Sequence, residues 1–150
     1  MTNQKQSLKL IFLLSLLFIA GLSLFADEMW SEDFKQVLKL SETTNKPILI
    51  NFTGSDWCGW CVRLHDEVFS KDEFKKFANE NLILFKADFP RNIKQSAELI
   101  KQNRELQKEY DIKGFPTIVI VDKNQKIIAR TGYKQGGVTE YIKHLEELLK

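Results

Sequence analysis

The sequence predicts an α/β fold, a three-layer α/β/α sandwich with a central mixed sheet. Three observations carry that reading. Short apolar runs at 48–52, 82–88 and 117–121 have the length and composition of buried strands. The stretches between them repeat apolar residues at helical spacing. A further short strand follows the third across a turn, so the sheet gains an antiparallel hairpin beside strands that helices separate.

Taken in order, Trp30, Phe34, Val37 and Leu38 recur at helical spacing behind Ser31, which reads as the cap. Asn45-Lys46-Pro47 ends that helix, and Ile48–Phe52 is the first strand. Thr53-Gly54-Ser55-Asp56 is a loop by composition. A helix from about Cys58 to Val68 follows, with Cys61, Leu64, His65 and Val68 on one face. Ser70-Lys71-Asp72-Glu73 matches a capping box and opens a short helix carrying Phe74, Phe77 and Ala78. Leu82–Asp88 is the second strand, Pro90-Arg91-Asn92 a turn, and 95–110 a polar helix with Leu99, Leu106 and Tyr110 as its sparse apolar stripe. Thr117–Val121 and Lys126–Arg130 form the hairpin, and Gly136-Gly137 leads into a last helix with Val138, Tyr141, Ile142 and Leu145.

The chain has 150 residues, 22 Lys and Arg against 20 Asp and Glu, and two cysteines. The near balance of charge shows no basic stripe of the kind that neutralises phosphates, which argues against nucleic acid as a partner. The first nine residues carry Lys5 and Lys9, and residues 10–25 are apolar apart from two serines. Ala26 then stands before Asp27 and Glu28. A basic start, a short apolar core and a small residue at the break read as a signal peptide over 1–26, with one domain over 27–150. The alternative is an uncleaved membrane anchor, for which the apolar run falls short of the roughly 20 residues that span comfortably. Removing 1–26 takes away two lysines and no acid, so the mature chain carries no net charge. Export, to a bacterial periplasm on this reading, puts both cysteines where disulfides persist.

Those cysteines fall in Trp57-Cys58-Gly59-Trp60-Cys61, between a strand and a helix. Cysteines three apart on a first helical turn bring their sulfurs within bonding reach. The unpaired N–H groups at a helix start stabilise a thiolate there. Cys58 is therefore expected to be the exposed nucleophile, and Cys61, one turn in, the shielded thiol that resolves a mixed disulfide. A purely structural bridge would close a very small loop and restrain little chain. Haem attachment needs a histidine after the second cysteine, where Val62 stands. Metal binding would enlist His65, giving three ligands at most, so no metal is assigned. His65 is expected packed or half-exposed, and His144 on a solvated helix face.

These landmarks resemble the thioredoxin superfamily: the strand Ile48–Phe52, the Trp57–Cys61 motif, and Gly114-Phe115-Pro116-Thr117 before a strand. More narrowly, Phe52–Cys61 with Glu67-Val68-Phe69 is similar to exported bacterial thioredoxin-like proteins and to the C-terminal domain of transmembrane thiol:disulfide interchange proteins. The resemblance implies a cis peptide bond before Pro116, facing the cysteines, with Phe115 beside it and the backbone there pairing with an extended substrate. It implies a substrate-binding surface of Trp57, Gly59, Trp60, Phe115 and Pro116. It also implies no cofactor beyond the Cys58–Cys61 disulfide, disulfide-bearing protein clients, and a membrane thiol–disulfide electron donor.

Two departures matter. Thioredoxins carry a buried aspartate where this chain has Asn51, so the proton of Cys61 must go to water or to an acid such as Glu67 or Asp88. Between the cysteines stand Gly59 and Trp60, without the histidine that stabilises the thiolate of strong oxidants, so the reading leans to a protein disulfide reductase. An oxidase or isomerase is the alternative within that chemistry. Outside it stand a copper carrier using Cys58, Cys61 and His65, and a chaperone. The charged stretch 90–110, with Lys94, Lys101, Arg104 and Lys108, reads as a solvated helix face or a docking surface.

Overall fold

In the computed structural model, residues 29–150 are described; the signal peptide expected over 1–26 lies outside them. The elements are β1 (Trp30–Ser31), α1 (Phe34–Thr44), β2 (Ile48–Thr53), α2 (Gly59–Leu64) running on as a π-turn (His65–Phe69), α3 (Asp72–Asn81), β3 (Ile83–Asp88), α4 (Ala97–Glu109), β4 (Thr117–Val121), β5 (Ile127–Thr131) and α5 (Gly137–Leu148). The five strands form one sheet in the order β1-β3-β2-β4-β5.

Strand β2 is buried at every position, as a continuous apolar run after a proline demands. Its alternate residues feed two cores. Ile48, Ile50 and Phe52 pack with Phe85, Val119, Phe34 and Leu106 on the face covered by α1 and α4. Leu49 packs with Leu84, Ile118, Leu64, Val68 and Tyr141 on the face covered by α2, α3 and α5. Each large apolar side chain so buried contributes about 1.5–3 kcal/mol relative to exposure.

Four expectations are corrected. Trp30 is not on α1: it lies in a two-residue strand paired in parallel with Leu84, and its ring packs 5.0 Å from that of Phe69. The cap of α1 is Asp33, whose carboxylate accepts the Gln36 N–H at 3.0 Å, while Ser31 sits two residues further out. The capping box at 70–73 does not form. Lys71 is the cap residue and the Ser70 hydroxyl instead donates back to the Asp66 carbonyl, because the preceding π-turn carries the chain straight into α3. The sheet is also mixed sooner than the hairpin implied. β2 and β3 are parallel, but β4 already runs antiparallel to β2, pairing Ile48 with Val121 and Phe52 with Thr117. The break after α1 is as read: Asn45 takes the left-handed conformation, φ 57°, that closes many helices.

Candidate active site

The antiparallel register of β4 builds the site. Pairing Phe52 with Thr117 brings the residues before Thr117 beside the end of β2, from which the chain leaves through Gly54 to the motif. The Phe115–Pro116 peptide bond is cis. Cys58 is the cap of α2: its backbone is extended, its N–H bonds the Gly54 carbonyl at 2.9 Å, and its carbonyl accepts from Val62 at 3.0 Å. Its sulfur accepts the Cys61 backbone N–H at 3.2 Å and is joined to the Cys61 sulfur in a disulfide, with Cα atoms 5.2 Å apart.

Cys58 is not the exposed member of the pair. It is 7% exposed and Cys61 5%, so both are covered in the oxidised form. The cause is its capping role: the backbone is tied on both sides and the sulfur turns inward onto the first helical turn.

Aromatic groups flank the disulfide on two sides. Trp57 lies over Gly54, donates Nε1–H to the Phe89 carbonyl at 2.8 Å, and meets Phe115 edge-on with centroids 5.9 Å apart. The Arg91 guanidinium stacks 4.0 Å above its ring. The Arg91 and Asn92 backbone N–H groups in turn donate to Asp56, and those bonds hold the Asp56 carboxyl below the ordinary carboxylate range. Trp60 points the other way, 56% exposed, with Tyr133 5.1 Å from it and Arg63 over both rings. Glu67 joins these: Arg63 Nε donates to it at 2.6 Å and the Tyr133 hydroxyl at 2.7 Å. The Arg63 bond, then that of Tyr133, keeps the Glu67 carboxyl low, and the same bond raises the Tyr133 hydroxyl.

Trp57 and Trp60 thus adjoin the cysteines along the chain, Phe115 meets the Trp57 ring, Pro116 precedes the residue paired with Phe52, and Gly59 is exposed with open space where a side chain would begin. His65 is not packed: it is exposed, because the π-turn beginning there departs from the helical period that placed it with Leu64 and Val68. Among the described residues no group of three His, Cys, Asp or Glu side chains could hold a metal ion. His144 is half-buried rather than solvated; Nε2 lies 2.8 Å from the Thr131 hydroxyl, and burial, then Lys134, lowers its pKa. Lys94, Lys101, Arg104 and Lys108 stand exposed on and before α4.

Both acids named for the proton of Cys61 have hydrogen-bond partners of their own. Glu67 is held by Arg63 and Tyr133. Asp88, 6% exposed, accepts from the Ser55 N–H at 3.0 Å and the Ser55 hydroxyl at 2.6 Å, fixing the loop that leads to the motif. Sequence reasoning missed the arginines that stack on the two tryptophans, and Asn103, which is buried and bonds the Asp88 carbonyl at 3.0 Å. It also missed Glu32 and Lys86, an ion pair at 2.9 Å. The signal for Lys86 was present, as the one basic residue inside an apolar strand.

A disulfide closed across the first turn of a helix, on a sheet of this order with a cis-proline before β4, defines a thiol–disulfide oxidoreductase module. The model of a thioredoxin-like domain matches residues 34–148, and the chain belongs to that family. It is 38% identical over 125 residues to the disulfide bond reductase DsbH of Chlamydia pneumoniae, covering 83% of this chain and 75% of that protein. The solved structure of a DsbH oxidoreductase superposes with a TM-score of 0.77 at 37% identity, covering 80% of this chain and 83% of the other. The thiol:disulfide interchange protein DsbD of Campylobacter jejuni is 28% identical over 101 residues, 67% of this chain but 16% of that longer protein. The chain is thus a homologue of thiol–disulfide oxidoreductases with the cysteine pair in place. Among the described residues no helix is long and apolar enough to cross a membrane.

Proposed function

We propose that the protein is an exported protein disulfide reductase of a bacterial periplasm. The observation that carries the reading is Cys58 at the cap of α2, its sulfur accepting the Cys61 N–H and bonded to the Cys61 sulfur. In the reduced state the same N–H and the start of the helix stabilise a Cys58 thiolate. That thiolate attacks a client disulfide, one client sulfur leaves, and a mixed disulfide forms. Cys61 then attacks the Cys58 sulfur, closing the ring and releasing the client with both its sulfurs reduced. Two electrons pass from the protein dithiol to the client, and no cofactor besides the cysteine pair is required.

Trp57, Gly59, Trp60, Phe115 and Pro116 form the surface on which the client lies, the Phe115 backbone offering its edge to an extended peptide. An oxidising compartment returns such a dithiol to the disulfide, so a membrane thiol–disulfide donor is the partner that completes the cycle. The reductase direction rests on Gly59 and Trp60. Neither adds a charge beside Cys58, so the thiolate gains mainly from the helix start, and the disulfide is less oxidising than in relatives with a histidine there.

The test is the equilibrium potential against glutathione, with Cys61→Ser used to trap clients. A potential nearer roughly −270 mV than roughly −120 mV, with mixed disulfides accumulating through Cys58, is expected. A potential above about −180 mV would replace reductase with oxidase or isomerase.

A further inference from the structure

Beneath the cysteine helix lies a cleft of about 740 Å³, and Cys61, Asn51, Glu32, Asp33, His65 and Lys86 all line it. Its position follows from the strand periodicity. In β2 and β3 the residues facing α2 alternate with those facing α1, and parallel pairing sets Asn51 directly against Lys86. Lys86 Nζ in turn holds a Glu32 carboxylate oxygen at 2.9 Å, across the edge from β1. Asn51 is 8% exposed, and its side-chain oxygen has no protein partner. A buried acceptor of this kind, in a cleft with room for several solvent molecules, is where a bridging water binds.

The geometry points to Glu32, fixed by Lys86, as the residue that takes the proton of Cys61 through solvent held at Asn51. This rests on Cys61 as the resolving thiol. The other titratable groups facing the cleft fit less well. The Asp33 carboxylate is spent capping α1, bonding the Gln36 N–H at 3.0 Å. His65 also lines the cleft and, like Glu32, is exposed, but no ion pair among the described residues fixes it there as Lys86 fixes Glu32. Lys86 is a cation that orients Glu32 and favours a thiolate nearby. In the resolving step the Cys61 S–H bond breaks and its proton passes to the Glu32 carboxylate. The Cys61 sulfur bonds Cys58, and the bond from Cys58 to the client breaks with the electron pair on the departing sulfur. Glu32 is thus a positioning residue of the site: it acts through solvent and touches neither sulfur.

The experiment uses the reduced full chain and an excess of a chromogenic aryl disulfide. Cys58 releases the first aryl thiolate in a phase that depends on reagent concentration. Cys61 releases the second in a first-order phase, followed across pH 5–10. Glu32→Gln is expected to slow the second phase by about tenfold or more near neutral pH. Above pH 9 the rate should converge on wild type, with the first phase unchanged. Glu32→Asp should recover most of the loss, and His65→Gln should superimpose on wild type. A Glu32→Gln profile identical to wild type, or one depressed equally at every pH, overturns the assignment, as does a loss in His65→Gln instead. A first adduct mapped to Cys61 would overturn the underlying order of the cysteines, a failure distinct from an unmoved profile with the adduct on Cys58.

Discussion

The two tryptophans that flank the disulfide are held in opposite ways. Trp57 is held at four points: Gly54 beneath, Arg91 above, Phe115 at its edge, and a hydrogen bond from its indole to the Phe89 backbone. Trp60 has no hydrogen bond of that kind and stands more than half exposed, steadied only by Tyr133 and Arg63. One flank is a wall built into the loop architecture. The other is a side chain with freedom to follow a client, supported by the half-buried Tyr133 and the exposed Arg63. The same residue type at two positions either side of one cysteine thus does two jobs, because Trp57 is hydrogen-bonded to the backbone of the loop after β3 whereas Trp60 meets the loop after β5 through its ring alone.

The sharpest break in this contrast is at Gly54. A methyl group there would sit 2.5 Å from the Trp57 ring, so Gly54→Ala must displace the indole or the loop. A loss of about 1–3 kcal/mol in urea unfolding is expected, together with slower client reduction. Full stability with an unmoved Trp57 indole resonance would show that the wall is softer than drawn.

Trp57→Ala is expected to cost about 2 kcal/mol, below the range for a fully buried tryptophan because the ring is one-third exposed. Trp60→Ala should cost less than about 0.5 kcal/mol, yet raise KM for a protein client severalfold while leaving the rate with a small disulfide unchanged. Equal losses of stability at the two positions would erase the distinction.

The smallest effect concerns the support of Trp60. The Arg63 and Tyr133 bonds hold the Glu67 carboxyl below its ordinary value of 4.5. A depressed folded-state pKa means that their stabilisation is complete above about pH 4.5 and is lost as pH falls through the lower folded value. NMR titration of Glu67 should show that lower midpoint, and the Trp60 indole resonance should move with it. Tyr133→Phe should bring the midpoint back toward the ordinary value, with little change in stability. An unchanged midpoint would mean that Tyr133 does not hold Glu67.

What was legible in the sequence was whatever a local pattern encodes. The apolar run of β2, the strand–loop–helix setting of the cysteines and the Phe-Pro dipeptide before β4 each announce themselves within a few residues. What was not legible depended on partners distant in the chain. A two-residue strand such as β1 has no period to detect; it exists because β3 offers an edge to Trp30. The direction of β4 is set by which strand it joins, and pairing with β2 rather than β3 is invisible to a local reading. The exposure expected of Cys58 failed for a related reason: its capping bonds to Gly54 and Val62 decide how far the sulfur stands from solvent. Glu32 escaped notice because an acid near a strand edge is ordinary until Lys86 is found opposite it.

The central place of β2 in the sheet has a consequence for the order of assembly. Its partners β3 and β4 both follow it, and the second arrives only at Thr117, long after the cysteines. Pairings so far apart in sequence form late, since loop closure must precede the contacts that repay it. A chain emerging from its N-terminus therefore exposes Cys58 and Cys61 as ordinary thiols, with no Pro116 beside them and no frame around α2. Their special reactivity is not a property of five residues but a product of nearly finished folding. A fragment ending before Thr117 would carry the whole motif and behave like any flexible dithiol peptide.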